Sequence, residues 1–147
     1  MRPSDLDGVM AIEEGSFPTP WSRGMFIEDF PRDFSDTLVA AGAEDEVLGY
    51  SVCWNMAGES HLLNIAVHPA RRGQGIGRAL LAECIRRAAR AGSSVIFLEV
   101  RAGNDDAQRL YRSMGFTFRG IRKGYYTDTG EDAVILDREV RKSDAAR

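Results

Sequence analysis

Helical and strand-like spacings of apolar residues succeed one another along this chain, and each change of period marks an element. Leu6, Val9 and Met10, followed by the acidic pair Glu13 and Glu14, fit a helix to about Ser16. Ser4-Asp5-Leu6-Asp7 is placed as its N-cap, with acids in the first turn. Two prolines in Phe17-Pro18-Thr19-Pro20-Trp21-Ser22 interrupt any regular structure and predict a loop. Met25, Phe26 and Phe30 lie on one side of a second, short helix that ends before Pro31. The pattern then becomes strand-like over Thr37 to Ala43, Val47 to Asn55 and His61 to Val67, with Glu44-Asp45-Glu46 as an acidic hairpin turn. Leu80, Leu81, Cys84, Ile85 and Ala88 return to helical spacing, Arg86, Arg87 and Arg90 lie mainly on the other side, and Gly92 is a stop. Val95 to Val100 reads as a buried strand. Asn104 caps a helix from Asp105 to Met114 that Gly115 ends. Phe116 to Arg122 and Ala133 to Val140 close the chain as a pair of strands joined by a long polar loop, and 141–147 reads as a disordered tail.

This order predicts an α/β fold: a mixed, mainly antiparallel sheet with a central parallel strand–helix–strand crossover from Leu62 to Val100, and helices on both faces. The 147 residues suffice for one domain, taken as 1–140. Hydrophobic content of 44% and charged content of 28% are those of a soluble globular protein. No apolar run approaches the ~20 residues that span a bilayer. No apolar stretch follows Met1-Arg2-Pro3-Ser4-Asp5 as a secretory signal requires. The expected location is therefore cytoplasmic, without a membrane partner and with Cys53 and Cys84 reduced and buried. No Cys/His spacing suggests zinc, so no metal is expected. The net charge of −3 is unevenly spread: residues 1–46 carry 11 acids and 3 bases, the remainder 11 acids and 16 bases. The basic part suits a polyphosphate ligand and the acidic part a cationic one, although on charge alone a solvated acidic surface is the better account of the latter. The overall acidity argues against nucleic acid as a direct partner.

The segment from Asn64 to Arg78 holds the first candidate chemistry. A short apolar strand ends at Pro69, which cannot donate to a sheet ladder. Arg71, Arg72, Gly73, Gln74, Gly75, Ile76, Gly77 and Arg78 then lead into a helix. Glycines let the backbone turn sharply and approach a ligand, and a helix N-terminus offers unpaired N–H groups to a phosphate. A P-loop needs Lys and then Ser or Thr after the last glycine, where this chain has Arg78 and Ala79. The dinucleotide fingerprint is incomplete, because Arg78 stands in the place of its last glycine. A tight glycine turn without a ligand remains the plain alternative.

A second cluster begins at Leu98-Glu99-Val100-Arg101. Strand alternation sets Glu99 on the face opposite Leu98, near the strand's carboxyl end, where ligands of open α/β sheets bind. Ala107, Leu110, Tyr111 and Met114 recur at helical spacing, so Tyr111 also reads as part of a core stripe and Asn104 as a simple cap. Glu99 by itself also reads as a solvated or salt-bridged strand residue.

Leu-Glu-Val-Arg-x-x-Asn followed by Leu-Tyr-x-x-x-Gly-Phe, downstream of Asn-Ile-Ala-Val-x-Pro and Arg-x-x-Gly-x-Gly, resembles the GNAT superfamily of N-acetyltransferases. More closely it resembles the RimI type, the ribosomal-protein-alanine N-acetyltransferases. Pro20-Trp21-Ser22 is similar to that type's Pro-Trp-Ser loop, and Arg122-Lys123-Gly124-Tyr125-Tyr126 with Gly130-Glu131-Asp132-Ala133 to its Tyr-Tyr loop and last strand. The resemblance covers almost everything from Asp5 to Leu136 and implies the GNAT fold. It also implies transfer of acetyl from acetyl-CoA, by direct attack in a ternary complex, to the N-terminal amine of a protein such as a ribosomal protein. It makes Glu99 the general base and Tyr111 the general acid, and partial burial would strengthen Glu99 as a base. It sets Ile65, Ala66 and Val67 against the acetyl and pantetheine groups, Asn104 against the pantetheine arm, and Arg72 to Arg78 against the pyrophosphate. Trp21, Tyr125 and Tyr126 would line the peptide slot. A small-molecule amine as acceptor, and a non-catalytic acyl-CoA sensor, are the competing functions; a monomer or weak dimer is expected. The chain departs from the family pattern in three places. A helix cap at Ser4 leaves little room for the usual first strand. Thr127 stands where proline is frequent, and Asp105 and Asp106 replace small residues.

Overall fold

The computed structural model describes residues 1–146. Its helices are α1 (Leu6–Ser16), α2 (Arg23–Asp29), α3 (Ile76–Arg90) and α4 (Asp105–Ser113). Its strands are β1 (Ser35–Ala41), β2 (Val47–Met56), β3 (Glu59–Val67), β4 (Val95–Arg101), β5 (Thr117–Tyr126) and β6 (Glu131–Glu139). The strands form a single six-stranded sheet in the order β1-β2-β3-β4-β6-β5. Every neighbouring pair is antiparallel except β3 and β4, which run parallel with α3 as their crossover.

Period-two alternation divides the strands between two cores. Leu81, Cys84, Ile85 and Ala88 of α3 and Tyr111 of α4 pack on one face with Cys53, Leu62, Ile96 and Leu98. Leu6, Val9 and Ile12 of α1 and Phe26 of α2 pack on the other with Tyr50, Val52 and Ala66. Helices thus cover both faces, as the two-sided burial of β2 and β3 requires. Each fully buried Leu, Ile or Val stabilises the fold by about 1.5–3 kcal/mol relative to exposure.

One irregularity creates the cleft. β3 and β4 pair only at Glu59 with Val95, Ser60 with Ile96 and His61 with Phe97. Beyond that point β3 continues to Val67 against β2 alone, and β4 to Arg101 against β6 alone. The register between β2 and β3 also slips here: Val52 faces Asn64 but Cys53 faces Leu62, leaving Leu63 as an extra residue. A bulge turns its strand locally, and this one lies at the fork.

Three expectations need correction. The long polar loop after Arg122 is instead the continuation of β5 through Tyr125 and Tyr126, closed by a tight turn at Thr127–Gly130. Gly130 adopts φ 74° there, and its N–H donates to the carbonyl of Tyr126 at 2.8 Å. The expected tail folds from Lys142 to Ala146 into a helical turn, because Asp144 is buried against a bidentate Arg138 at 3.1 Å; Arg147 lies outside the described residues. Ser4 does not cap α1 but sits within a short helical turn from Pro3 to Asp5, whose Asp5 carboxylate accepts from the Arg2 N–H at 2.7 Å. The segment before α1 adds no strand. The terminal amine of Met1 instead donates to the carbonyl of Thr37 in β1 at 2.9 Å.

Candidate active site

The fork between β3 and β4 opens into a cleft of about 460 Å³. Both strands point their carboxyl ends into it, so residues far apart in sequence meet there. Glu99 comes from β4, Asn104 from the N-cap of α4, Tyr111 from α4, Ile65 from β3, Trp21 from the loop between α1 and α2, and Tyr125 and Tyr126 from β5. Ala66 and Val67 and the stretch from Arg72 to Arg78 do not line this cavity.

The glycine turn lies where β3 ends. Gly73 and Gly75 adopt φ of 78° and 83°, the left-handed region that side chains disfavour, and open space surrounds both α-carbons. Gly75 is the N-cap of α3, and Gln74 and Ile76 flank it. Gly77 is different: a side chain there would make only ordinary contacts, at 3.5 Å from Leu110 and 3.6 Å from Val67. Arg72 reaches the carbonyl of Val67 at 3.3 Å, and Arg78 donates to the hydroxyl of Ser113 at 2.7 Å. The turn is therefore open, left-handed and rimmed by two arginines, with the N–H groups of the first turn of α3 beside it. That surface fits a pyrophosphate.

Asn104 caps α4 as its residue type predicts, accepting from the N–H of Ala107 at 3.2 Å. Tyr111, two turns along, is 6% exposed, and burial pushes its phenol well above the ordinary tyrosine range. It therefore holds its proton at neutral pH, as a proton donor must. The two cysteines lie outside the cleft as free, buried thiols; burial pushes Cys84 up to about 11, which leaves almost no thiolate.

Glu99 is the residue whose environment differs most from expectation. Burial pushes its carboxyl up, but a hydrogen bond and charge from His61, with Arg122 at 4.0 Å, outweigh burial and hold it below the usual carboxylate range. His61 Nε2 lies 2.6 Å from Glu99 Oε2, and the imidazole stacks on Phe97 at 4.3 Å between ring centres. The expectation that burial alone would make Glu99 a stronger base is thus reversed. A single strand histidine carries no periodic signal, so His61 could not have been singled out from sequence.

Glu13 is a second unforeseen member. It is 1% exposed and lines the cleft with both oxygens engaged. Oε1 accepts from the Tyr50 hydroxyl and, at 2.9 Å, from Asn64; Oε2 accepts from the backbone N–H of Trp21 at 3.0 Å. Burial pushes its pKa up against these donors. Glu13 stands seven residues after Leu6, on the apolar stripe of Val9 and Met10, but beside Glu14 it reads as a solvated acid, so the sequence does not mark it out.

Arg101 organises the far rim. Its guanidinium meets Asp128 in two hydrogen bonds of 3.2 and 2.9 Å and stands 4.1 Å from the centre of the Tyr126 ring. Asp128 in turn accepts from Thr19 at 2.9 Å, which joins the turn between β5 and β6 to the loop that carries Trp21.

Fold and cleft together define an acetyl-transferring enzyme. The chain belongs to the acetyltransferase (GNAT) family, matched over residues 6–116, and within it to the ribosomal-protein-alanine N-acetyltransferases. The [ribosomal protein bS18]-alanine N-acetyltransferase of Escherichia coli (strain K12) is 33% identical over 138 residues, covering 92% of each chain. The crystal structure of the ribosomal-protein-S18-alanine N-acetyltransferase from Escherichia coli superposes with a TM-score of 0.86 at 32% identity, covering 95% of this chain and 90% of that one. A nourseothricin acetyltransferase structure superposes less completely, with a TM-score of 0.70 at 32% identity over 76% of this chain and 69% of that one.

Proposed function

We propose that this protein transfers acetyl from acetyl-CoA to the N-terminal amine of a protein of the ribosomal bS18 kind, in the cytoplasm and by direct attack in a ternary complex. The observation that carries the reading is the shared cavity: Glu99 and Tyr111 line the same cleft as Trp21, Tyr125 and Tyr126.

Each residue then has a defined task. The N–H groups around Gly73 to Gly77, with Arg72 and Arg78, bind the pyrophosphate of acetyl-CoA, and Asn104 and the backbone of Ile65 to Val67 orient its pantetheine arm and acetyl group. An α-amine has a pKa of about 7.7–8.0, so roughly a tenth of it is neutral at pH 7. Glu99 takes the remaining proton from the amine nitrogen, directly or through one water, as the new C–N bond forms. Tyr111 gives its proton to the thiolate as the C–S bond breaks and regains one as Glu99 sheds the amine's proton, so the one proton that leaves for solvent per turnover is that lost by the ammonium before attack. Burial of Cys53 and Cys84 outside the cleft supports this route over an acetyl-cysteine one.

A small-amine acceptor is the second reading, supported by the similarity to a nourseothricin acetyltransferase. The more complete match to the bS18-alanine enzymes favours the peptide. Incubation with acetyl-CoA and a panel of N-terminal peptides and small amines, followed by thiol release and product mass, decides between them. Acetylation of the α-amine of alanine-initiated peptides is the expected result. Acetylation confined to small amines would replace the proposal, and CoA binding without turnover would leave a sensor.

A further inference from the structure

His61 lies at the fork of the sheet, the last residue of β3 to pair with β4, directly across from Phe97. Two residues further along β4 stands Glu99, whose side chain is only 10% exposed and reaches back to His61. A carboxylate in a cleft wall can turn either oxygen, or neither, towards a bound amine. Here the choice is made for it. The imidazole is clamped flat against the Phe97 ring at an interplanar angle of 14°, so its Nε2 is fixed in direction. Nε2 engages Oε2 of Glu99 at 2.6 Å, which leaves Oε1, the oxygen on the Arg122 side, free of that contact.

We propose that His61 is the positioning residue of Glu99: its Nε2–H, held by the stack on Phe97, fixes the carboxylate so that Oε1 faces the acceptor amine. This inference rests on the acetyl-transfer reading above and deepens it. In the neutral imidazole one nitrogen donates and the other accepts, and a carboxylate partner selects Nε2 as the donor. The arrangement places hydrogen bond and ring stack on two different parts of one side chain, so the two can be separated by substitution. The other ionisable groups facing the pair are Arg122 from β5, which favours the carboxylate form, and the phenol of Tyr126 at the end of β5.

The proposal has an electrostatic consequence as well as a geometric one. Burial alone would raise Glu99, and the hydrogen bond from His61 counts for more than its charge among the causes that lower it. A neutral donor at the same place keeps that hydrogen bond, whereas an apolar ring removes it and leaves Arg122 alone against burial. Glu99 would then lose its ionised form at a higher pH as the solution is acidified.

The test compares His61→Gln, which keeps an N–H donor without the ring, with His61→Phe, which keeps a flat ring on Phe97 without the donor. Turnover at saturating acetyl-CoA and amine is followed against pH for both and for the wild type, on whichever amine the wild type accepts, with thermal midpoints as a folding control. His61→Phe is expected to lose on the order of tenfold or more in kcat, and its acid limb to move to higher pH. His61→Gln is expected to stay within about threefold, with its acid limb close to that of the wild type. Equal turnover by the Phe variant, or a larger loss in Gln than in Phe, would overturn the inference and leave His61 as a packing residue. A titration of the Glu99 carboxylate by carbon NMR, assigned through Glu99→Gln, supplies a readout independent of activity: a midpoint unmoved by His61→Phe would also overturn it. Failure of the wild type to acetylate any amine would overturn the acetyl-transfer reading itself, an outcome separate from either of these.

Discussion

Tyr111 is placed to serve packing and, in the proposed reaction, chemistry together. Its ring lies 5.8 Å from that of Phe116 in the core, while the residue also lines the cleft. Phenylalanine can fill the same space, so Tyr111→Phe removes the proton and little else. The variant is expected to bind CoA as the wild type does and to turn over more slowly by on the order of 100-fold. Isothermal titration with CoA and initial-rate kinetics check the two halves, and unchanged turnover would remove Tyr111 from the mechanism. Glu13 contrasts with Glu99 at the same scale. Its raised pKa suits a base, but Tyr50, Asn64 and Trp21 occupy both oxygens. It is better understood as the pin that holds the Trp21 loop and Asn64 in place. Reading α1 as an amphipathic helix hid this, because Glu13 and Glu14 together look like a solvated pair, and burial separates them: Glu13 is buried and Glu14 exposed.

At the scale of elements, β6 pairs with β4 along its length, and the tip of the β5–β6 hairpin is tied to the cleft by side chains. Arg101 carries Asp128 on its guanidinium fork and Tyr126 on its face. The pairing keeps the Asp128 carboxyl well below the usual carboxylate range, with Arg101 as the main cause. A depressed carboxylate contributes its contact above the unfolded pKa and loses it only as the pH falls through the folded value, so this link is intact throughout the neutral range. Asp128→Asn takes away the charge and one of the two good acceptors. The KM for a peptide acceptor should rise by about three- to tenfold while the KM for acetyl-CoA stays within about twofold; a rise in both would mean that the loop supports the whole cleft. Much at this scale was legible beforehand. Apolar spacing located α3, α4, β2 and β4 closely, and Asn104 announced its helix. The β5–β6 turn was not, because Lys123, Gly124 and the polar run from Thr127 to Gly130 read as loop composition, whereas the strand there is set by pairing across the hairpin, Arg122 with Ala133 and Tyr126 with Glu131.

At the scale of the molecule, the glycine turn, α3 and the fork form one ligand edge assembled from β3 and its crossover. A ligand that binds only the folded protein stabilises it by about 2.7 kcal/mol at a hundred times its dissociation constant. For a chain of this size that corresponds to a rise in Tm of roughly 5–10 °C. Acetyl-CoA is expected to produce such a rise in a differential scanning measurement. Gly75→Ala should reduce it, since the left-handed φ of 83° is strained with any side chain and the turn is the surface proposed for the pyrophosphate. A full shift in the variant would place the phosphate elsewhere. The charge asymmetry of the sequence is partly consumed within the fold: Asp36 pairs with Arg87 at 2.8 Å, Asp7 with Arg23 at 2.6 Å, and Asp29 takes the Trp54 indole at 2.8 Å. Net charge along the chain therefore forecast less about the acceptor than the cleft does. The fork itself left no trace in the sequence. Both strands look continuous there, and only their relative register ends the pairing after His61 and Phe97.

Among the described residues, those few pairs are the only ladder between the two halves of the sheet. On one side stand β1, β2 and β3, on the other β4, β6 and β5, like two plates riveted along a short seam. A molecule lodged in the gap touches both plates and acts as a mortar between them. Substrate bound in the gap as proposed would add contacts across that seam, and the departure of product would remove them.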